Sequence, residues 1–347
     1  MAHSREQGPG RLVPHDDRKV ADGRDVPCSE QGRNARRAPR VVAEVSDDDI
    51  RVPRDEPVDP SYRWQGEELD LDGYLAGIGF TGEREPTIAT LRELVHRHTT
   101  TLPFENLEAL FGRPVALGPA EVQDKMIRRG RGGYCYENVS LFAAALERLG
   151  FGVTGLSARV TMGAVAARPA THALLRVTTA DDDRVWICDV GFGQGPSEPW
   201  ELSARPEEFT LGQWRFRFER RVGELGTDLW ALHQFGKDGW VERHTFTTNP
   251  QYRIDYEVGN HYVSTSPRSP FTTRPFVQRF LPDVRHVLDG RTLTSERPDG
   301  TVESRELEID ELPGVLKGVF DIELTDEDAH ALTTGKWTER SLRSEMP

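Results

Sequence analysis

Apolar positions change their period twice along this chain, and the elements follow from those changes. Leu71, Tyr74, Leu75 and Ile78 recur at helical spacing ahead of Gly79. Pro86-Thr87 opens a second helix with Ile88, Leu91, Leu94 and Val95 on one face, and Pro103 lies beyond its end. The segment Phe104–Glu108 turns the chain onto a short helix, and Pro119 starts another that runs to about Arg129. From Cys135 the apolar residues Val139, Phe142, Leu146 and Leu149 mark one more helical face, closed by Gly150.

After Gly150 the period shortens. Val153–Val160, Thr171–Thr178 and Arg184–Val190 read as strands around an Asp-rich turn at 181–183. Trp214–Arg220, Leu229–Gln234, Trp240–Phe246 and Tyr252–Tyr262 read as further strands, with a hairpin tip at Lys237-Asp238-Gly239. A hairpin over His286–Ser295 and Thr301–Ile309, a short helix at Leu312–Val319 and a final helix follow. Thr325 and Asp328 have capping-box spacing at the start of that last helix. The expected fold class is α+β, divided into 66–150 helical, 151–265 antiparallel β and 266–347 mixed α/β. Residues 1–65 lack periodicity and carry a basic patch (Arg33, Arg36, Arg37, Arg40) before an acidic one (Asp47 to Asp49), so they are expected to be disordered. They suit an interaction tail or an over-long gene start.

Composition narrows the partners. The 347 residues carry a net charge of −13, and an acidic field opposes nucleic acid and anionic membrane alike. No run of about eighteen apolar residues exists, so no membrane span is expected, and no apolar leader is visible. Three cysteines (Cys28, Cys135, Cys188) fit a reducing compartment better than a disulfide scaffold. A cytoplasmic protein is expected, without a bound metal: His96 and His98 are two apart and cannot share a helical face.

The candidate chemistry centres on Arg131-Gly132-Gly133-Tyr134-Cys135-Tyr136-Glu137. A cysteine at a helix start meets N–H groups and a dipole that favour a thiolate and a bound oxyanion. The alternative is a small apolar residue covering a helix end. A nucleophile needs a base and a group to orient it. His172 and Asp189 supply both if the hairpin pairs Leu174 with Asp189, which leaves His172 diagonal on the same face at roughly 7 Å. Direct pairing of His172 with Asp189 serves as well, and a one-residue slip would separate them. Structural readings remain for each: a satisfied strand histidine, and an aspartate capping the Gly191-Phe192-Gly193 turn. Cys28, Cys188, His233, His244 and His261 are assigned no role in the chemistry.

Four stretches together resemble the arylamine N-acetyltransferases: Pro103–Leu107, Arg131–Glu137, Thr171–Leu175 and Asp189–Gly193, in that family's order and spacing. Asn260–Thr265 and Phe320–Leu324 add to the likeness, which covers about 69–335. The resemblance implies a helical bundle carrying the cysteine, a β-barrel carrying His and Asp, and an α/β lid, with a cysteine-protease-like Cys-His-Asp core. It implies ping-pong transfer from acetyl-coenzyme A, a co-substrate rather than a permanently bound cofactor, to an aromatic amine or hydrazine. Cys135 would be the acylated nucleophile, His172 the proton shuttle and Asp189 its orienter. Arg131, Gly133 and Tyr134 would support the site, and Phe192 would line the acceptor pocket. Val139 departs from the pattern, standing where the family usually has Asn, with Asn138 one position earlier. The same fold resembles amide synthases that close macrolactams on carrier-tethered chains. A thioester or amide hydrolase, or a silent binding module, would use the same residues differently.

Overall fold

The computed structural model describes residues 63–203, 207–334 and 337; Cys28 and the charged patches before residue 63 lie outside them. The helical part comprises α1 (Leu71–Gly77), α2 (Ile88–Thr101), α3 (Leu107–Leu110), α4 (Pro119–Gln123) and α5 (Cys135–Arg148). Local chemistry sets their starts. The Asp70 carboxylate accepts from Gly73 N–H at 3.0 Å and the Thr87 hydroxyl from Thr90 N–H at 3.3 Å, each satisfying a first-turn donor. At α5 the Glu137 side chain reaches back to Tyr134 N–H at 3.1 Å. That helix is buried almost from end to end, and Leu141, Phe142, Ala143, Ala144, Ala145 and Leu146 are fully enclosed.

Eight antiparallel strands form the second layer in the order β5-β4-β3-β2-β9-β8-β7-β6. They are β2 (Gly152–Val160), β3 (Ala170–Thr178), β4 (Val185–Cys188), β5 (Trp200–Glu201), β6 (Glu207–Leu211), β7 (Trp214–Val222), β8 (Asp228–Gly236) and β9 (Gly239–Phe246). The edge strands β5 and β6 stand apart in that order, yet Trp200 and Phe209 stack with ring centroids 6.5 Å apart. The sheet therefore curls on itself around Leu232, Phe216, Phe218 and Phe246. One face of β3 packs on α5, and Leu175 and Val177 join the helical core.

A second sheet runs β1-β10-β11-β12-β13. Its first strand, β1 (Phe104–Glu105), comes from the helical part, where a turn onto a helix was expected; Phe104 pairs with Gln278 and Glu105 with Val277. The others are β10 (Phe276–Phe280), β11 (Arg285–Asp289), β12 (Thr292–Glu296) and β13 (Val302–Glu306). The single strand expected over His286–Ser295 is thus two, folded back at Gly290, whose φ of +63° suits glycine. Helices α7 (Leu312–Phe320) and α8 (Asp326–Thr333) cover this sheet through Leu312, Leu316, Phe320 and Leu332.

One expected strand is a helix. Tyr252–Tyr262 belongs to α6 (Arg253–Thr265). Its alternating Tyr252, Ile254, Tyr256 and Val258 imitate a strand, but only Tyr256 of these is buried, together with Asn260 and Val263 at helical spacing. Burial on one helical face overrides local β propensity.

Candidate functional site

Cys135 sits at the first position of α5, 4% exposed, and its thiol points at the Thr171 carbonyl 3.6 Å away. Gly191 brings the Asp189–Gly193 loop onto it: a Cβ there would lie 2.7 Å from Cys135 Cα, a distance that only glycine avoids. The ladder between β3 and β4 ends at Leu175 opposite Cys188. Its continuation sets Leu174 opposite Asp189, the register that puts His172 and Asp189 on one face. His172 Nε2 and Asp189 Oδ1 are 2.9 Å apart, both residues buried. Phe192 closes over this pair, its ring centroid 5.3 Å from that of His172.

Burial alone would strip the charge from His172. The charge and hydrogen bond of Asp189, with smaller contributions from Cys135, outweigh it and push the imidazole pKa up to about 10. Asp189 is itself buried, which opposes its charge, yet His172 and His244 hold it well below the usual carboxylate range. An imidazolium beside sulfur and a carboxylate behind it form the arrangement in which a thiol acts as nucleophile.

His244, left without a role in the sequence reading for want of an acidic partner, has one. Its Nε2 lies 2.9 Å from Asp189 Oδ2, too oblique for an aligned hydrogen bond, and its ring is 5.4 Å from that of Phe192. Asp189 and His244 are far apart in the chain. They meet because β2 pairs with both β3 and β9, and nothing local to β9 singles out His244, since Arg243, His244, Thr245 and Phe246 are all buried. Donor atoms of His172, Asp189 and His244 fall within 4.8 Å of one another. Two imidazoles and a carboxylate suit a divalent ion in kind. Ligation needs neutral imidazoles, though, and Asp189 holds the proton on His172.

Beneath the cysteine loop lies a network of buried charge that the sequence reading touched only at Arg131. Arg131 donates to Glu105 at 2.9 Å and lies within 3.5 Å of Glu108 and 3.4 Å of Asp328. Lys125 donates to Glu137 at 2.7 Å and approaches Glu105 to 3.5 Å. Thr325 caps α8 by accepting from Asp328 N–H at 3.2 Å, but Asp328 does not complete the expected box: its carboxylate turns to Arg131 and Arg113. Removing one partner from such a cluster leaves a buried charge uncompensated. The network therefore clamps β1, the cysteine loop and α8 together. Gly133 joins it through the backbone, donating to the Pro103 carbonyl and accepting from Glu105 N–H, both at 3.2 Å. The Tyr134 hydroxyl donates to Asn260 of α6.

The residues around Val139 also find their places. Val139 is fully buried in the helical core. Asn138 donates to the Gly133 carbonyl at 2.6 Å and meets His98 Nε2 at 3.0 Å, while His98 Nδ1 meets the Tyr74 hydroxyl at 2.9 Å. Burial lowers the His98 pKa to about 4 against the opposing bond from Asn138. A histidine-selective NMR titration is expected to show one ring titrating near pH 10 (His172) and one near pH 4 (His98). A His172 midpoint at its ordinary value would remove the ion pair.

A family model described as N-acetyltransferase matches residues 87–329. The chain is 39% identical to an arylamine N-acetyltransferase of Mycolicibacterium smegmatis over 266 residues, 74% of this chain and 94% of that one. It is 32% identical to human arylamine N-acetyltransferase 1, covering 74% of this chain and 95% of the other. Among solved structures, the Nocardia farcinica arylamine N-acetyltransferase superposes with a TM-score of 0.80 at 72% identity, over 82% of this chain and 100% of that one. The Mycobacterium marinum arylamine N-acetyltransferase in complex with CoA gives 0.68 at 32% identity, over 80% and 98%.

Proposed function

The chain belongs to the arylamine N-acetyltransferase family, and on that premise we propose that it carries acetyl from acetyl-coenzyme A to an aromatic amine or hydrazine through an acyl-Cys135 intermediate. It is an acyltransferase, and acetyl-coenzyme A is its co-substrate rather than a resident cofactor. The observation that carries the residue assignment is the buried His172–Asp189 pair at 2.9 Å beside a cysteine on a helix start.

In the first half-reaction the Cys135 thiolate attacks the thioester carbonyl. First-turn N–H groups of α5 hold the oxyanion. The carbon–sulfur bond to the coenzyme breaks, and His172 gives its proton to the departing thiolate. In the second half the amine attacks acetyl-Cys135, His172 takes the amine proton, and the cysteine leaves as thiolate. The coenzyme thiol and the N-acetyl amine are the products, with no oxidant or metal required. Asp189 keeps the charged imidazole in place during both halves, with His244 on its second oxygen. Arg131, Gly133 and Tyr134 hold the loop that presents the thiol, and Phe192 shields it from water. We assign these roles to three portions of the chain: the nucleophile to 66–150, its base and orienter to 151–265, and a cover to 266–347. Among the described residues no helix is long and apolar enough to cross a membrane, in keeping with cytoplasmic substrates.

The test is a two-step single turnover. Acetyl-coenzyme A is expected to leave one acetyl group on Cys135, located by peptide mass mapping. Adding an aromatic amine or hydrazine should then empty the enzyme much faster than buffer does. Equal rates in both would make the protein a hydrolase. Acylation only by carrier-bound chains would make it an amide synthase, and no adduct at all would sink acyl transfer.

A further inference from the structure

Two buried arginines have no part in the chemistry above. β8 and β9 slip register where His233 faces Glu242 and Leu232 faces His244, leaving Arg243 as the extra residue of a β-bulge. Bulges re-aim side chains. Arg243 is 6% exposed; its Nε and Nη2 donate to Gln234 Oε1 at 2.9 and 2.5 Å, and its Nη1 faces Met162 Sδ at 3.5 Å. Arg285 of β11, 7% exposed, donates to that same oxygen at 2.9 Å. Its Nε donates to Glu296 at 3.0 Å. Two guanidiniums thus share one amide oxygen, and the carboxylate at hand answers Arg285. Arg243 donates to neutral atoms alone among its hydrogen bonds in the described residues.

Two buried guanidiniums share the single nearby carboxylate of Glu296, which bonds Arg285 directly and reaches Arg243 only through its field, and burying charge is costly unless it is compensated. Burial, then the like charge of Arg285, lowers the Arg243 pKa to about 9 against the opposing charge of Glu296. Both arginines line a cavity of about 420 Å³ with Gln194, Thr292, Thr294 and the Glu296 carboxylate that Arg285 engages. Asp289 on the same wall is engaged by Arg274, whose Nη2 donates at 3.2 Å. Gln194 follows Phe192 by two residues, and Arg243 precedes His244, so two of the lining residues share loop and strand with the site.

We propose that Arg243 and Arg285 form a subsite for an anionic group, carboxylate or phosphate, carried by a substrate of the acyl transfer. This rests on the acyltransferase reading. A guanidinium fork matches either oxyanion in two hydrogen bonds. The carboxylate would belong to an acidic aromatic amine, the phosphate to the coenzyme.

The experiment measures KM for wild type and Arg243→Met with acetyl-coenzyme A or 4-nitrophenyl acetate as donor, each against 4-aminobenzoate or 4-methoxyaniline as acceptor. The KM ratio of anionic over neutral substrate is expected to rise about 10- to 100-fold in the variant. A rise on the acceptor side identifies the carboxylate, and a rise on the donor side identifies the phosphate. Unchanged ratios overturn the subsite. Calorimetry of benzoate and of inorganic pyrophosphate with wild-type protein decides the matter should Arg243→Met not fold: binding of one supports the subsite, binding of neither overturns it. That titration is independent of turnover, and an acyl-Cys135 adduct forms or fails to form regardless of its outcome, so the two readings fail separately.

Discussion

Cys135→Ala is expected to lower amine acetylation by about a millionfold, the scale on which a covalent nucleophile is lost, and to leave no acetyl adduct in the mass spectrum. The fold should survive. Cys135 is small and lies at a helix start, and alanine retains the helix geometry and the contact with Gly191. A stability change of about 1 kcal/mol is expected in a denaturant titration. Cys188 provides an internal control. It is a second thiol, buried fully in the sheet, and burial first and then the Asp189 charge push its pKa up. Acetylation that persists in Cys135→Ala would mean that the acyl group is carried elsewhere or passed directly to the amine.

Asp189→Asn is expected to cost about 10⁴-fold in transfer, because an amide holds shape without holding charge. With the carboxylate gone, only Cys135 still favours the charged form of His172, burial dominates, and the imidazole becomes neutral at pH 7. Alkylation of Cys135 by iodoacetamide should then lose the alkaline transition that wild-type His172 imposes. The stability loss has its own pH signature. The raised pKa of His172 contributes stability fully below its ordinary 6.5 and loses it as pH rises through about 10. The depressed pKa of Asp189 contributes above its ordinary 3.8 and loses it as pH falls further. Wild type and Asp189→Asn should thus differ most between pH 3.8 and 6.5, by about 3 kcal/mol, and converge toward pH 10. A difference that grows on the alkaline side would put the charge on another group. Transfer within tenfold of wild type would remove Asp189 from the orienting role.

The placement of Cys135 was legible because it depends on neighbours in sequence: an apolar face at helical spacing, a glycine pair before it and a C-cap glycine after it. The His172–Asp189 pairing was legible for a related reason. Hairpin register is constrained by strand period and turn length, and pairing Asp189 with either His172 or Leu174 keeps the two side chains on one face. Tyr252–Tyr262 misled because alternation over a few residues cannot distinguish a strand from a helix whose outer face is also apolar, as exposed Ile254 and Val258 show. His286–Ser295 misled because a tight turn at Gly290 interrupts a run that is otherwise uniform in β propensity.

Local periodicity, capping residues and turn glycines by themselves determined most of the helices, the hairpins and the cysteine at its helix start, since those features act over distances of a few residues. The tertiary structure alone decided what crosses the chain. It brought His244 to the second oxygen of Asp189, joined β1 to β10, sent Asp328 to Arg131 rather than into its own helix cap, and set Arg243 beside Arg285. Apart from the β1–β10 ladder, each of these is a buried polar or charged group whose neighbour lies far away in sequence. A buried charge must find its partner wherever packing places one, and packing is a property of the whole fold.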